Sequence, residues 1–93
     1  MAVLITADLP GGNAELDKTI LQKLGMAQNP APGSLIRLAG PIQGGWRVVS
    51  VWESQEAFDR FRRERLEPAL KEVGRDMPQF QFWTAESVLP PPR

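Results

Sequence analysis

The sequence predicts an α+β fold in which strands and helices follow one another in the order βαββαβ. Three observations predict this order: a β-rich run opens the chain, two segments place apolar residues at helical spacing, and three further β-rich runs separate or follow them. The order is that of the ferredoxin-like fold, an antiparallel four-stranded sheet with two helices on one face. With 93 residues, 42% of them hydrophobic, the chain suits one compact domain, predicted at residues 1–89.

The first strand and the first helix are predicted from the opening residues. Residues 2–7 are rich in β-forming side chains, and turn residues at 8–12 end the predicted strand. Asn13 is the expected N-cap of a helix over residues 14–24, where leucine and isoleucine recur at helical spacing. Gly25 supplies the left-handed residue at which helices commonly end.

The middle of the chain predicts a β-hairpin. Prolines and glycine at residues 29–33 exclude regular structure before a second strand at 34–39, and the glycine-rich residues 40–45 link it to a third strand. One face of that third strand carries Trp46, Val48, Ser50 and Trp52, and the other carries Arg47, Val49 and Val51. Both faces are largely apolar, so a sheet that is covered on both sides is predicted.

The second helix and the last strand complete the order. Ser54 is the expected N-cap of the helix, Pro68 predicts a kink or a restart, and Gly74 ends the helical pattern. Aromatic residues within 77–85 indicate the last strand, and residues 90–93 form a proline-rich tail. A disordered tail is the commoner outcome, and docking into an SH3-like groove is the alternative.

Composition excludes several classes of function. Eleven basic and eleven acidic residues give a net charge of zero, which argues against nonspecific binding to nucleic acid or to an anionic membrane. The basic residues between 60 and 71 alternate with acidic ones, as on a solvated helix face. The chain has no cysteine and no histidine, so we expect no metal site, no cofactor and no hydrolase chemistry. A cytoplasmic protein without a membrane segment is predicted.

The two apolar faces of the third strand also predict self-association. Because side chains alternate along a strand, only one of its faces can meet the helices. Burying two tryptophans and a valine contributes several kcal/mol at about 25 cal/mol per Å². We therefore expect a homodimer that pairs sheet against sheet, with Trp46, Val48 and Trp52 in the buried dimer face.

Three segments resemble a known group of proteins. These are PGSLIRLAGP at residues 32–41, GWRVVSVWESQEAF at 45–58 and LEPAL at 66–70. Together they look like the small dimeric α/β-barrel proteins related to antibiotic biosynthesis monooxygenases. The most specific part is VWES at 51–54 followed by AFDRF at 57–61. The resemblance implies a ferredoxin-like protomer whose sheet pairs with a second sheet to enclose a barrel, often with a cavity for a small ligand.

The resemblance implies several activities, among them cofactor-independent oxygenation of polyaromatic compounds and haem degradation. Haem-degrading members would carry an asparagine in the first strand, a tryptophan near Phe61 and a histidine near Lys71. In this chain residues 2–7 contain no asparagine, and the other two positions are phenylalanine and lysine. Similar short proteins often have a histidine where Arg37 stands. The comparison therefore argues against haem degradation and against chemistry that depends on histidine.

The candidate ligand-binding residues are those expected to face the barrel interior: Arg37, Trp46, Ser50, Trp52, Phe82 and Thr6. Arg37 suits a carboxylate or phenolate, although it equally suits a rim position beside Glu53. Tryptophans at alternating positions are more often core or interface anchors than walls that stack a substrate. Ser50 can orient a ligand or bond to a neighbouring strand. No catalytic residue is identified.

The function predicted from the sequence is binding of a small aromatic or anionic ligand. If the protein is an enzyme, a cofactor-independent monooxygenase acting on an aromatic or enolic molecule is expected. The alternative is a binding or oligomerisation module without catalysis.

Overall fold

The computed structural model describes residues 2–89. Its elements follow the predicted order, with one helical segment divided into three parts. They are β1 (Ala2–Pro10), α1 (Ala14–Leu24), β2 (Ser34–Ile42), β3 (Gly45–Trp52), α2 (Gln55–Phe61), a π-helical turn (Arg62–Leu66), α3 (Glu67–Glu72) and β4 (Phe80–Ala85). The proline-rich tail predicted at 90–93 lies outside the described residues.

The four strands form one antiparallel sheet in the order β2-β3-β1-β4. The central strands β1 and β3 pair from Val3 opposite Trp52 to Pro10 opposite Gly45. β4 pairs with β1, and β2 pairs with β3, so the first and third strands occupy the centre. The prediction of a ferredoxin-like α+β fold is confirmed.

The first helix has the predicted bounds because both of its ends are set by local chemistry. Asn13 is extended, and its Oδ1 accepts a hydrogen bond from the backbone N–H of Leu16 at 2.8 Å. At the other end Gly25 has φ 65° and donates its N–H to the carbonyls of Leu21 and Gln22. The two caps satisfy backbone groups that the helix leaves unpaired.

Two strands run beyond their predicted ends. β1 continues through the expected turn residues to Pro10, and β2 continues to Ile42. Proline is tolerated at the end of β1 because β4 pairs only as far as Ala7, so Pro10 has a strand partner on one side alone. The hairpin connection is therefore shorter than predicted, with Gln43 and Gly44 between paired residues.

The second helical segment begins at the predicted cap and changes its winding before the proline. Ser54 Oγ accepts a hydrogen bond from the N–H of Ala57 at 3.1 Å. The N–H of Glu67 bonds to the carbonyl of Arg62, five residues earlier, so the turn before Pro68 is wider than an α-turn. Proline lacks an N–H and crowds the carbonyl four residues before it, which explains the wide turn. The predicted kink at Pro68 is thus a π-helical turn that ends at Leu66.

The core lies between the helices and one face of the sheet, and the tryptophans of β3 belong to that face. Trp52 is only 2% exposed and packs against Phe58 and Phe61, with ring centroids 5.6 and 4.9 Å away. Trp46 and Val48 share its strand face by alternation. The expectation that these residues form the dimer face is wrong, because Trp52 is buried in the core of its own chain and Trp46 and Val48 lie on the same side of the sheet as Trp52.

The opposite face of the sheet has no helix over it. By strand alternation and register, its members are Ala2, Leu4, Thr6, Asp8 and Pro10 in β1, Ile36, Leu38, Gly40 and Ile42 in β2, Gly45, Arg47, Val49 and Val51 in β3, and Gln81, Trp83 and Ala85 in β4. We call this set the open face. Leu38, Trp83 and Ile36 are 59%, 49% and 44% exposed. Such large exposed apolar side chains are unusual within a folded sheet.

Candidate functional site

A cavity of about 80 Å³ lies between the helices and the helix-covered face of the sheet. Strand residues form its floor and helix residues its roof, and nearly all of them are apolar. The floor includes Ile5, Val48 and Trp52, and the roof includes Ile20, Phe58 and Leu70. Apolar walls with a few convergent polar groups are the usual construction of a small-molecule site.

Four polar side chains line this cavity: Asp17 from α1, Ser34 and Arg37 from β2, and Ser50 from β3. Arg37 and Ser50 are direct partners in the pairing of β2 with β3, so they lie side by side on the same face. Asp17 reaches them from the helix above. The sheet register and the packing of α1 therefore bring Asp17, Arg37 and Ser50 together in a mostly apolar wall.

Arg37 and Asp17 form a two-pronged ion pair. Arg37 Nη1 donates to Asp17 Oδ2 at 3.2 Å, and Arg37 Nη2 donates to Asp17 Oδ1. The Asp17 side chain is 12% exposed and that of Arg37 is 25% exposed, so water reaches the pair only in part. Among residues 2–89 these are the side-chain hydrogen bonds that join α1 to the sheet. The partner of Arg37 is Asp17, whereas the sequence suggested Glu53.

Ser50 and Trp52 are also joined by a hydrogen bond. The indole Nε1–H of Trp52 donates to Ser50 Oγ at 3.0 Å, although both residues lie on the same strand two positions apart. This bond satisfies the buried indole and fixes its ring against the aromatic side chains of α2. The serine oxygen is occupied as an acceptor, and its own O–H proton remains available as a donor.

The other predicted site residues lie elsewhere. Trp46 and Phe82 are on the helix-covered side of the sheet but do not line the cavity. Phe82, on the edge strand β4, packs against Phe58 with ring centroids 5.9 Å apart. Thr6 pairs with Val49 and therefore lies on the open face. The structure separates Thr6 from Arg37, because odd and even positions of β1 point to opposite sides of the sheet.

Comparison with solved structures shows which proteins share this fold, whereas two other comparisons found no match. No family model matches the chain, and no curated protein matches it. Among solved structures it is similar to SnoaB, a cofactor-independent oxygenase from Streptomyces nogalater, with a TM-score of 0.66 and 14% identity over 97% of both chains. It is also similar to a candidate antibiotic biosynthesis monooxygenase from Caulobacter crescentus CB15, with a TM-score of 0.70, 17% identity and coverage of 92% of this chain and 91% of the other. The chain therefore has the same ferredoxin-like fold as these two proteins.

A third protein with this fold binds a porphyrin. A single-residue mutant of MhuD, solved with two manganese protoporphyrin IX molecules per active site, has a TM-score of 0.63 and 22% identity, over 96% of this chain and 98% of the other. Residues of the present chain do not fit such a group. It has no histidine, cysteine or tyrosine to bind the iron of a haem. A cavity of about 80 Å³ is also too small for a porphyrin ring.

Asp17 is the site residue that the sequence did not reveal. Taken by itself, it is an acidic residue of the first helical turn, where negative charge favours the helix dipole. Its spacing could have revealed its position, because Ile20 and Leu24 lie three and seven residues after Asp17 and so share one helix face with it. All three residues are buried. An acidic residue on the buried stripe of a helix needs a cationic partner, and Arg37 is that partner.

Four charged residues of the second helical segment pair with one another, as predicted for a solvated face. Arg60 donates to Glu64 at 2.9 Å, and Arg62 lies 3.9 Å from Asp59. Within residues 2–89, no helix is long and apolar enough to cross a membrane. No group of three or more histidine, cysteine, aspartate or glutamate side chains in the same range is arranged to hold a metal ion.

Proposed function

We propose that the protein binds a small aromatic or enolic molecule in the cavity between its helices and its sheet and oxygenates it without a cofactor. The observation that carries the proposal is the composition of the cavity, which is mostly apolar and brings together the polar side chains of Asp17, Arg37 and Ser50. The fold is shared with a cofactor-independent oxygenase, which supports the same assignment. Domain bounds of 1–89 and a cytoplasmic location remain predictions from the sequence.

The size of the cavity restricts the ligand. Its volume of about 80 Å³ is well below the roughly 300–1,000 Å³ of pockets that hold drug-sized molecules. An apolar cavity of about 150 Å³ holds benzene. Met26 lines the cavity, and its flexible side chain can move to enlarge it. We therefore propose a ligand of about one ring, placed with its polar atoms toward Arg37.

The chemistry of the site follows from its electrostatics. A carbonyl compound with an adjacent CH₂ group, or its enol, becomes reactive toward oxygen once a proton is lost to solvent and its oxygen atom gains negative charge. The guanidinium of Arg37 has N–H groups beyond the two that bond Asp17. Because the charge of Asp17 offsets that of Arg37, these groups stabilise the oxygen by donating hydrogen bonds that strengthen as negative charge develops on it. The substrate supplies the electrons: the CH₂ becomes a C=O, and the second atom of O₂ leaves as water.

Oxygen uptake tests this proposal. The wild-type protein should consume oxygen with a one-ring phenol or cyclic enol, and Arg37→Gln should lower the rate about a hundredfold, as the loss of an oxyanion donor does elsewhere. Asp59→Asn is the control, since it changes a charge on α2 away from the cavity lining. Equal rates for Arg37→Gln and the wild type would contradict the proposed role of Arg37.

A second candidate function is ligand binding without catalysis. The observation that favours it is that three polar side chains of the cavity, those of Asp17, Arg37 and Ser50, are already bonded to protein atoms. Asp17 accepts two bonds from Arg37, and Ser50 Oγ accepts one from Trp52. Neither is thereby a free general base. Saturable binding of a one-ring ligand with no oxygen uptake and no change in the ligand would support this function over the oxygenase.

We further propose that a second copy of the chain covers the open face. Its large exposed apolar side chains are Leu38, Trp83 and Ile36, and burying them stabilises a pair of sheets at about 25 cal/mol per Å². The two charged members, Asp8 and Arg47, bond to each other at 2.7 Å. The face therefore carries no net charge and does not repel a copy of itself, as a two-fold symmetric interface requires.

Sedimentation equilibrium tests the dimer. The mass should be twice the 10.4 kDa of the chain at micromolar concentration. Leu38→Glu places a charge on the open face and should give the monomer mass, while Asp59→Asn on α2 should not. A wild-type protein that sediments as a monomer would overturn the proposed interface.

A further inference from the structure

We infer that Asp17 makes the cavity select an uncharged ligand with a hydrogen-bond acceptor and a hydrogen-bond donor side by side, such as a primary amide or a hydroxy ketone, over a carboxylate of the same shape. The inference rests on the proposed function, because it concerns the ligand of the same cavity. It departs from the expectation that Arg37 alone favours an anion.

The charge of the ion pair between Asp17 and Arg37 argues for this selectivity. Arg37 contributes one positive charge and Asp17 one negative charge, and two hydrogen bonds hold them together. Their side chains are 25% and 12% exposed, so water screens them poorly. A carboxylate that approaches Arg37 therefore also approaches the carboxylate of Asp17. The repulsion offsets the attraction.

The carboxylate ligand cannot easily displace Asp17 from Arg37. Within residues 2–89 the side chain of Asp17 accepts hydrogen bonds from Arg37 alone. Breaking them would leave a poorly hydrated carboxylate without a donor, which is strongly unfavourable. The ion pair is therefore retained when a ligand binds.

An uncharged ligand fits the groups that the ion pair leaves available. A guanidinium has five N–H donors, of which Asp17 takes two, so Arg37 can still donate to a carbonyl oxygen. A carboxylate has about four acceptor positions, so Asp17 can still accept from an N–H or O–H of the ligand. A carbonyl beside an N–H or O–H meets both groups at once.

Benzamide and benzoate test the inference because they share one shape and differ in charge. Binding of each is measured at pH 7 by NMR, from the shift of the Trp52 indole N–H signal, since Trp52 lines the cavity. The wild type should bind benzamide at least about tenfold more tightly than benzoate, a difference of 1.4 kcal/mol. Asp17→Asn should raise the affinity for benzoate about tenfold and so remove most of the preference for benzamide. Asp59→Asn, the same chemical change on α2, should behave as the wild type.

Three results would overturn the inference while leaving ligand binding intact: equal affinities in the wild type, a preference for benzoate, or an unchanged affinity ratio in Asp17→Asn. Arg37→Gln provides a second variant if Asp17→Asn does not fold. It leaves the negative charge of Asp17 in place and should exclude benzoate more strongly than the wild type does, so tighter benzoate binding would also overturn the inference. If neither compound shifts the Trp52 signal in the wild type or in Asp17→Asn, the proposed cavity function fails with it.

Discussion

Removing the ion pair between Asp17 and Arg37 should destabilise the fold in a way that a double-mutant cycle can measure. Exposed ion pairs contribute about 0.2–1 kcal/mol, and loss of one partner of a buried pair costs about 3–5 kcal/mol. The side chains of this pair are 12% and 25% exposed, which places it between the two limits. We expect Asp17→Asn and Arg37→Gln each to lower the free energy of unfolding by about 1–3 kcal/mol.

The double variant should lose less than the sum of the two single losses. Each single change leaves a charge in the cavity wall without its partner, whereas the double change leaves none. We expect a coupling energy of about 1–2 kcal/mol, from groups in direct contact.

Urea unfolding, followed by tryptophan fluorescence at pH 7, gives these energies. With a slope of about 1–3 kcal/mol per molar urea, a loss of 2 kcal/mol shifts the midpoint by roughly 1 M. Fixed protein concentration removes the effect of self-association. Single-variant losses below about 0.5 kcal/mol, or strict additivity, would refute the view that the pair joins α1 to the sheet.

Three further predictions concern other parts of the molecule. Gly33→Ala should lower the free energy of unfolding by about 2 kcal/mol or more in urea, since Gly33 has φ 89° and a new Cβ would lie 2.6 Å from that of Ala57. Ile5→Ala, in the cavity floor, should cost about 2–5 kcal/mol by the same assay, and a loss under 1 kcal/mol would contradict its place in the core. Arg47 donates to Asp8 and holds the pKa of that carboxyl below 3.8, so Asp8 stabilises the fold above that pH and loses its effect as the pH falls through its lowered pKa. The stability difference between the wild type and Asp8→Asn should therefore be present at pH 6 and vanish in strong acid, and a difference that grows in acid would contradict the pair.

Local chemistry explains which parts of the fold the sequence predicts well. Both ends of α1 depend on the caps at Asn13 and Gly25, which lie within a few residues of the helix, and both are recognisable in the sequence. The ends of β1 depend on a partner strand more than thirty residues away. Pro10 therefore reads as a turn residue in the sequence although β3 holds it in the sheet.

The difference between local and long-range interactions also explains why the sequence did not place the tryptophans of β3 on the correct face. Alternation shows that Trp52 and Val51 lie on opposite faces, but it does not say which face the helices cover. Contacts between Trp52 and Phe58, on the following helix, decide it. The sequence thus predicted two apolar faces, and only packing could assign one to the core and leave the other open.

The sequence predicted only part of the candidate site, because some of its residues are brought together by contacts between distant elements. Arg37, Ser50 and Trp52 lie together in the cavity, and their strand positions suggested that they share a face. The partner of Arg37 is twenty residues away on a different element, so no local pattern pairs it with Asp17. Thr6 was misplaced because the faces of β1 and β2 can be matched only through the register of β3 between them.

The central claim is that a small ligand occupies the space between the helices and the sheet. Nuclear Overhauser effects from bound benzamide to isoleucine methyl groups test it most directly, because the two relevant isoleucines lie on opposite faces. Contacts to Ile5, in the cavity floor, are the predicted result. Contacts to Ile36 on the open face, with none to Ile5, would contradict the claim.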